Sequence, residues 1–494
     1  MLTKTDPAAL TNYLEDSSNL KGGHADKVII PASIEELSDF IKKANVDKIP
    51  MTISGGGTGT TGSRVPFGGV VISTERLNKI VDISEARMSA TVQAGVPVEE
   101  FKSACEKKGL FYTSHPTEKT AFVGGTVATN ASGSRSLKYG PTRKRVNMLK
   151  MVLATGEIFS VRRGEKFIDK DNSAVMLPGG RRIDIPMPAY KMPNVKSSAG
   201  YYAKPGMDII DLFIGQEGTL SVIVEIGMEL VRKPAGIFSS FVFFDREPDA
   251  WLFAKDAKIA RGILSVEYFD SNALGFLYEK NTNVPRGKKA AIFFEQETDG
   301  SIDDAAIGEW LNLIEKHNSS MDSTWAAMNE KDARIFTRLR YAIPESVNEI
   351  FRRSGFKKLS ADIAVPDDKF IEMMDFYMDA FKKENLAHVI FGHIGENHVH
   401  ANILPGSPDE ERDARDLILA FVRKGLSLGG TVSAEHGIGK IKHMYLEEMY
   451  GKQGILEMAG IKKAFDPNCI LGLDNIFPKE YLDEPIQPAR LTDR

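Results

Sequence analysis

With 494 residues the chain is too long for a single hydrophobic core, and its length predicts two or three domains. Charged residues make up 26% and the formal net charge is −4, so nothing favours nucleic acid or an acidic membrane surface. Two distant cysteines, Cys105 and Cys469, exclude a disulfide framework, a cysteine zinc site and an iron–sulfur cluster carried by this chain.

No apolar run approaches the about 18 residues of a membrane span, and MLTKTDPAALTNYLEDSSN lacks a signal-peptide core. These features imply a soluble, cytoplasmic protein that reaches a membrane only through a partner. Val28 to Pro31 reads as a strand. Ser33 and Glu36 then form a capping box for a helix with Leu37, Phe40, Ile41 and Ala44 on one face.

The strand Met51 to Ser54 ends in GGGTGTTG, where glycine lets backbone N–H groups approach an anion. Gly57, Gly59 and Gly62 satisfy G-x-G-x-x-G, but Pro66, Gly68 and Gly69 forbid the helix that a dinucleotide fingerprint requires, and VVIST follows as a strand. The segment is therefore strand, glycine loop, strand. It leaves the carboxyl end of a βαβ unit, where open α/β sheets bind ligands. Ser89 to Val96 alternates as a strand, and a helix runs from Pro97 to its stop at Gly109.

Ser114 to Gly140 is crowded with small residues that suit backbone packing against a flat ligand. Val123, Val127, Ala131 and Tyr139 make it an ordered loop rather than a linker. MVLATGEIFSVRR holds a hairpin turn at Thr155-Gly156, and Gly215 to Val231 is a glycine turn entering a strand. Beyond Gly236 the texture changes. SSFVFF, SVEYFD and AAIFFEQE alternate with helices at Asp249 to Ala260 and Ile302 to Lys316, predicting an α+β domain with an antiparallel sheet. Amphipathic helices follow Leu417, and DEPIQPARLTDR reads as a loose tail.

Four of the nine histidines fall in GHIGENHVHAN and SAEHGIGK. His398, His400 and Asn402 share one strand face, while His393 sits at the preceding bend. With the Glu435-His436 pair, this composition suits zinc or another divalent transition metal. Residue type alone does not choose among His393, His398 and His400. IFTRLRYAIPESV offers Arg338 and Arg340 as bidentate partners for a carboxylate.

SGGGTGTTG, HPTEKTAFVGGTVATNASG and GQEGTLSVIVE resemble the flavin-binding segments of vanillyl-alcohol oxidase type flavoproteins. The likeness is stronger to the branch of D-lactate dehydrogenases, glycolate oxidase flavin subunits and D-2-hydroxyglutarate dehydrogenase, over roughly residues 25–480. It implies an α+β architecture in which a two-part α/β FAD-binding domain carries an α+β antiparallel-sheet substrate cap. The implied divisions are an N-terminal segment (1–24), the FAD domain (25–235), the cap (236–416), a helical part completing the flavin site (417–480) and the tail (481–494).

By the same resemblance, Gly55, Gly56, Gly57, Thr58 and Gly59 embrace the FAD pyrophosphate. Pro116, Thr117, Gly124, Asn130 and Gly133, with Glu217, Gly218 and Ile223, line the rest of the flavin. The first loop carries neither His nor Cys, so FAD is expected to be noncovalent, with His115 the only nearby attachment candidate. The family pattern places a divalent metal (zinc, manganese or iron) on His393, His400 and Glu435. It places the catalytic base on His436, substrate contacts on Asn402 and Arg340, and an Asn of relatives at the His398 position. A lysine for a second substrate carboxylate aligns with Ser360, near Lys357 and Lys358, which argues against a diacid.

The implied activity is oxidation of a small D-2-hydroxy acid, with electrons leaving to an electron-transfer flavoprotein, iron–sulfur subunit, cytochrome or quinone. Homo-oligomers are compatible with this. The rival expectations are an FAD oxidase of an alcohol or sugar, and a catalytically silent flavin subunit.

Overall fold

The computed structural model describes residues 1–114, 118–356 and 358–485, so His115, Pro116, Thr117, Lys357 and most of the expected tail lie outside the described residues. The first sheet joins β1 (Leu2–Lys4), β2 (Lys27–Ile30), β3 (Met51–Ser54) and β4 (Val70–Ser73) in the order β1-β2-β4-β3. β2, β4 and β3 are parallel and β1 is an antiparallel edge. Helix α1 (Ile34–Val46) crosses between β2 and β3, burying Leu37, Ile41 and Ala44. Ser33 Oγ accepts from the Glu36 N–H, but Glu36 turns its carboxylate to the Ala32 N–H, so the box is only half closed. No helix forms between β3 and β4, which rules out a Rossmann unit.

The second sheet is antiparallel. Its strands β5 (Ile80–Ser84), β6 (Ser89–Gln93), β7 (Val146–Leu153), β8 (Ile158–Arg162) and β9 (Ser221–Glu229) lie in the order β5-β6-β9-β7-β8. Helix α2 (Val98–Glu106) follows β6 with Pro97 as its N-cap. The small-residue stretch is ordered, as expected, yet part of it is helical: α3 (Val123–Ala128) forms despite two glycines. Burial of Val123 and Val127, one turn apart, outweighs the poor propensity of Gly124 and Gly125.

The cap is one seven-stranded sheet. Its strands are β10 (Gly236–Phe244), β11 (Ile263–Asp270), β12 (Ala290–Thr298), β13 (Thr324–Ala326), β14 (Leu359–Ala364), β15 (His388–Gly392) and β16 (His398–Ile403), in the order β13-β10-β12-β11-β15-β16-β14. Every pairing is antiparallel. Both faces are covered, which explains the continuous apolar run FVFF. Phe241 and Phe243 join a cluster with Phe336 and Ile343, whereas Val242 and Phe244 face Phe253 and Trp310. Phe253 lies on α4 (Glu247–Ala257) and Trp310 on α5 (Asp304–Lys316).

Phe336 and Ile343 belong to α6 (Glu330–Ser354), which carries Pro344 inside it. Pro344 cannot donate to the carbonyl of Arg340 four residues earlier. The chain ends in α7 (Phe370–Glu384), α8 (Pro408–Ser427) and α9 (His443–Phe465), the last interrupted at Gly451. The expected seam at residue 417 falls inside α8. Cap and FAD domain are tied by a partly buried bidentate pair, Arg135 to Glu295, at 2.9 and 2.8 Å.

Candidate active site

A cavity of about 380 Å³ lies between the glycine segments and the cap sheet. Gly55 to Gly59, Gly124, Gly133, Glu217, Gly218 and Ile223 all border it, as expected for FAD, whereas Asn130 does not. Asn130 adopts a left-handed backbone (φ 48°) and its Oδ1 accepts from the Arg143 N–H, a structural task.

The glycines divide by what a Cβ would meet. At Gly124 it would come within 2.5 Å of Ala94 Cβ and at Gly56 within 2.6 Å of the Thr120 carbonyl, so these serve backbone packing. Gly55 and Gly125 both border the cavity with room for a side chain: a Cβ at Gly55 would meet only Gly125 Cα at 3.9 Å, and one at Gly125 nothing within 4 Å. A side chain at either would fill the cradle, which fits a flat cofactor. Glu217 accepts from the Ser63 hydroxyl and from the Ile438 and Gly439 N–H groups, pinning the glycine loop and the C-terminal part to the β9 turn.

On the cap side, Arg340, His393, His400, Asn402, Glu435 and His436 border the same cavity. β15 delivers His393 just past its end, and β16 presents His400 and Asn402 two residues apart. Glu435 and His436 arrive on the loop after α8, with His436 in a left-handed backbone (φ 40°) of the kind that concentrates at functional sites. His393 Nε2 lies 3.2 Å and His400 Nε2 3.7 Å from the Glu435 carboxylate.

One ligand atom from each of His393, His398, His400 and Glu435 falls within 4.8 Å of all the others. The set is buried and rich in imidazole and carboxylate, which fits a divalent transition metal. His398 thus joins the cluster, although the family pattern left it out. It lies beneath the cavity rather than bordering it.

The electrostatics divide: His400 and Glu435 rest in the forms that bind metal, whereas His393 rests protonated and would release its proton to a metal. Burial, then the neighbouring His398 and His436 rings, pulls the His400 pKa well below its ordinary value and keeps the ring neutral. Burial disfavours ionised Glu435, but His393 and Lys196 hold its pKa well below the usual range. Burial opposes a charged His393 too, yet Glu267 and Glu435 raise it to about 9. Lys196 Nζ sits 2.6 Å from both Glu435 and Glu396.

Sequence reasoning missed several residues. Glu267 on β11 joins His393 to Arg340, accepting from Arg340 Nη2 at 3.3 Å. Asp362 on β14 meets His436 Nδ1 at 3.2 Å and also accepts from Lys442, Ser433 and the Glu435 N–H. Each is an acid flanked by apolar residues within a strand, a signal present in SVEYFD and LSADIAVP. Lys358 also borders the cavity, donates to Asn348 Oδ1 at 3.1 Å, and has its pKa lowered by burial to about 8. Arg338 does not border it.

Residues 25–162 match the FAD binding domain family and residues 233–473 the C-terminal domain of FAD linked oxidases. The chain is 30% identical to a D-lactate dehydrogenase of Archaeoglobus fulgidus, over 92% of this chain and 91% of that one. It is 29% identical to glycolate oxidase subunit GlcD of Bacillus subtilis, over 95% and 92%. In fold it is similar to 4-ethylphenol oxidase from Gulosibacter chungangensis, with a TM-score of 0.68 at 16% identity over 97% and 95% of the two chains. Among the described residues no helix is long and apolar enough to cross a membrane. With two family models matched and a 30% identical relative aligned over 92% of the chain, the protein belongs to the FAD-linked oxidoreductases, in the branch of D-lactate dehydrogenases, glycolate oxidase subunit GlcD and D-2-hydroxyglutarate dehydrogenases.

Proposed function

We propose that the protein is a metal-assisted dehydrogenase that oxidises a small D-2-hydroxy acid, such as D-lactate or glycolate, to the 2-oxo acid. The observation that carries this reading is that one cavity is bordered by the glycine cradle, by Arg340 and by the His393, His400, Glu435 and His436 group. When bound, noncovalent FAD supplies the two-electron acceptor, and a divalent metal on His393, His400 and Glu435 supplies a Lewis acid that lowers a hydroxyl pKa.

The chain's own groups do the rest. The planar fork of Arg340 holds the substrate carboxylate and so fixes which face of the α-carbon turns to the flavin. Asn402 borders the same cavity with its amide N–H groups on the Val389 and His400 carbonyls and its Oδ1 left to accept. Asp362 opposite Nδ1 of His436 favours the tautomer with the proton on Nδ1, leaving Nε2 to accept the hydroxyl proton. Electrons then pass to a separate acceptor, consistent with the subunit status printed for GlcD.

Anaerobic bleaching of the flavin with a panel of D- and L-2-hydroxy acids tests the reading. Bleaching by D-acids that is lost on chelation and restored by divalent metal is expected. Undiminished bleaching in metal-free protein would end the metal assignment, and none with any acid would favour a silent subunit. Lys358 at the cavity wall supports a second reading, in which the substrate carries a distal anionic group. Preference for D-2-hydroxyglutarate over D-lactate, reversed by Lys358→Met, would favour it.

A further inference from the structure

We propose that His398 is a fourth protein ligand of the metal, so that the centre is built for an ion taking more than four ligands. The inference rests on the metal reading above and adds to it a residue and a coordination number. His398 is completely buried, and neither ring nitrogen has a hydrogen-bond partner. Buried polar atoms nearly always find one, and leaving one orphaned is costly.

Nε2 has a charge contact with Asp362 Oδ1 at 2.9 Å that falls short of full hydrogen-bond geometry, and Nδ1 has no such contact. That carboxylate is already engaged by Lys442 and His436. The His398 ring centroid lies 4.6 Å from that of His400 and 5.5 Å from that of His393. A ligand atom of His398 falls within the 4.8 Å span that contains those of His393, His400 and Glu435. Metal–ligand bonds of about 2.0–2.2 Å put opposed ligand atoms roughly 4 Å apart, so sub-ångström closing brings all four onto one ion. An ion there would satisfy the orphaned imidazole.

The chemistry follows from the ligand count. Three imidazoles and a carboxylate complete a tetrahedral shell, and zinc in its usual four-coordinate form would be left closed, as in structural sites. A six-coordinate ion, such as Mn²⁺, Fe²⁺ or Co²⁺, keeps two positions. Two is the number that a 2-hydroxy acid fills through its hydroxyl and one carboxylate oxygen, with the other carboxylate oxygen left for Arg340.

The test uses FAD-loaded protein, stripped by chelation and reloaded in parallel with Mn²⁺, Co²⁺ or Zn²⁺. X-ray absorption should count three imidazoles on the metal in the wild type and two in His398→Asn. Equilibrium dialysis should show that variant binding metal more weakly by over 100-fold, beyond the roughly 10–100-fold typical of an outer-shell loss. The flavin absorbance reports whether the variant is folded. Should it fail to fold, the wild-type imidazole count decides alone. Two imidazoles in the wild type, or unchanged affinity in His398→Asn, would overturn the fourth ligand and leave the three-ligand site standing. Wild type that takes up no metal with FAD in place would instead overturn the metal reading itself.

Discussion

Glu267 Oε1 lies 2.7 Å from His393 Nδ1, and the same carboxylate contacts Arg340 through Oε2. One buried acid therefore aims the imidazole proposed as a metal ligand and steadies the guanidinium proposed to hold the substrate. With Nδ1 held, Nε2 of His393 faces Glu435, as a ligand's must. Glu267→Gln keeps the shape but removes the charge. Metal affinity should fall by about 10–100-fold while FAD remains bound. Equilibrium dialysis beside the flavin spectrum checks this, and unchanged metal affinity would show that the contact does not orient the ligand.

Arg340→Lys keeps the charge and loses the fork. Its kcat/KM should fall at least tenfold, about 1.4 kcal/mol of transition-state stabilisation. Arg338, away from the cavity, serves as the comparison. A crippled Arg338→Lys beside a near-normal Arg340→Lys would mean that the wrong arginine has been assigned.

His436→Ala should keep FAD and metal yet bleach more slowly with substrate by about 10²–10⁴-fold, the usual contribution of a general base. Asp362→Asn leaves His436 in place but weakens the hold on Nδ1, so a smaller loss in the same rate is expected, with substrate affinity little changed. Stopped-flow bleaching separates the two. Equal rates in His436→Ala and wild type would remove His436 from proton transfer.

How far these residues could be read from the sequence depends on how local their signals are. The strand–glycine loop–strand, α1 and the alternating cap strands are local patterns, and each forms where expected. The His393/His400/Glu435/His436 group is legible because all four members come from two short segments that together hold four of the nine histidines, aligned by a family pattern. Glu267 and Asp362 act only once β11, β14, β15 and β16 lie in one sheet, and that strand order is not written in any local period. At His398 the family pattern and the structure point different ways: relatives carry Asn there, whereas in this chain a buried imidazole joins the His393, His400 and Glu435 cluster. Helix α3 has the sequence of a loop, because its glycines hide a helix that tertiary packing stabilises.

The neighbouring glycines of α3 permit a test that separates fold from cofactor. A methyl at Gly124 would press within 2.9 Å of the Ala94 carbonyl and closer still to its Cβ, forcing α3 away from the end of β6. Gly124→Ala should therefore destabilise the protein by about 1–3 kcal/mol, the usual cost of overpacking, with or without FAD. At Gly125 a Cβ meets nothing within 4 Å and points into the cavity that Gly55 also borders. Its helical backbone tolerates a side chain, so Gly125→Val should leave apoprotein stability close to wild type. The added branches would occupy space that the flat cofactor needs, and FAD affinity should drop at least tenfold, about 1.4 kcal/mol. Thermal unfolding of both apoproteins, followed by fluorescence titration with FAD, reads the two effects independently. Normal FAD binding by Gly125→Val would show that the cofactor does not lie against this stretch of α3.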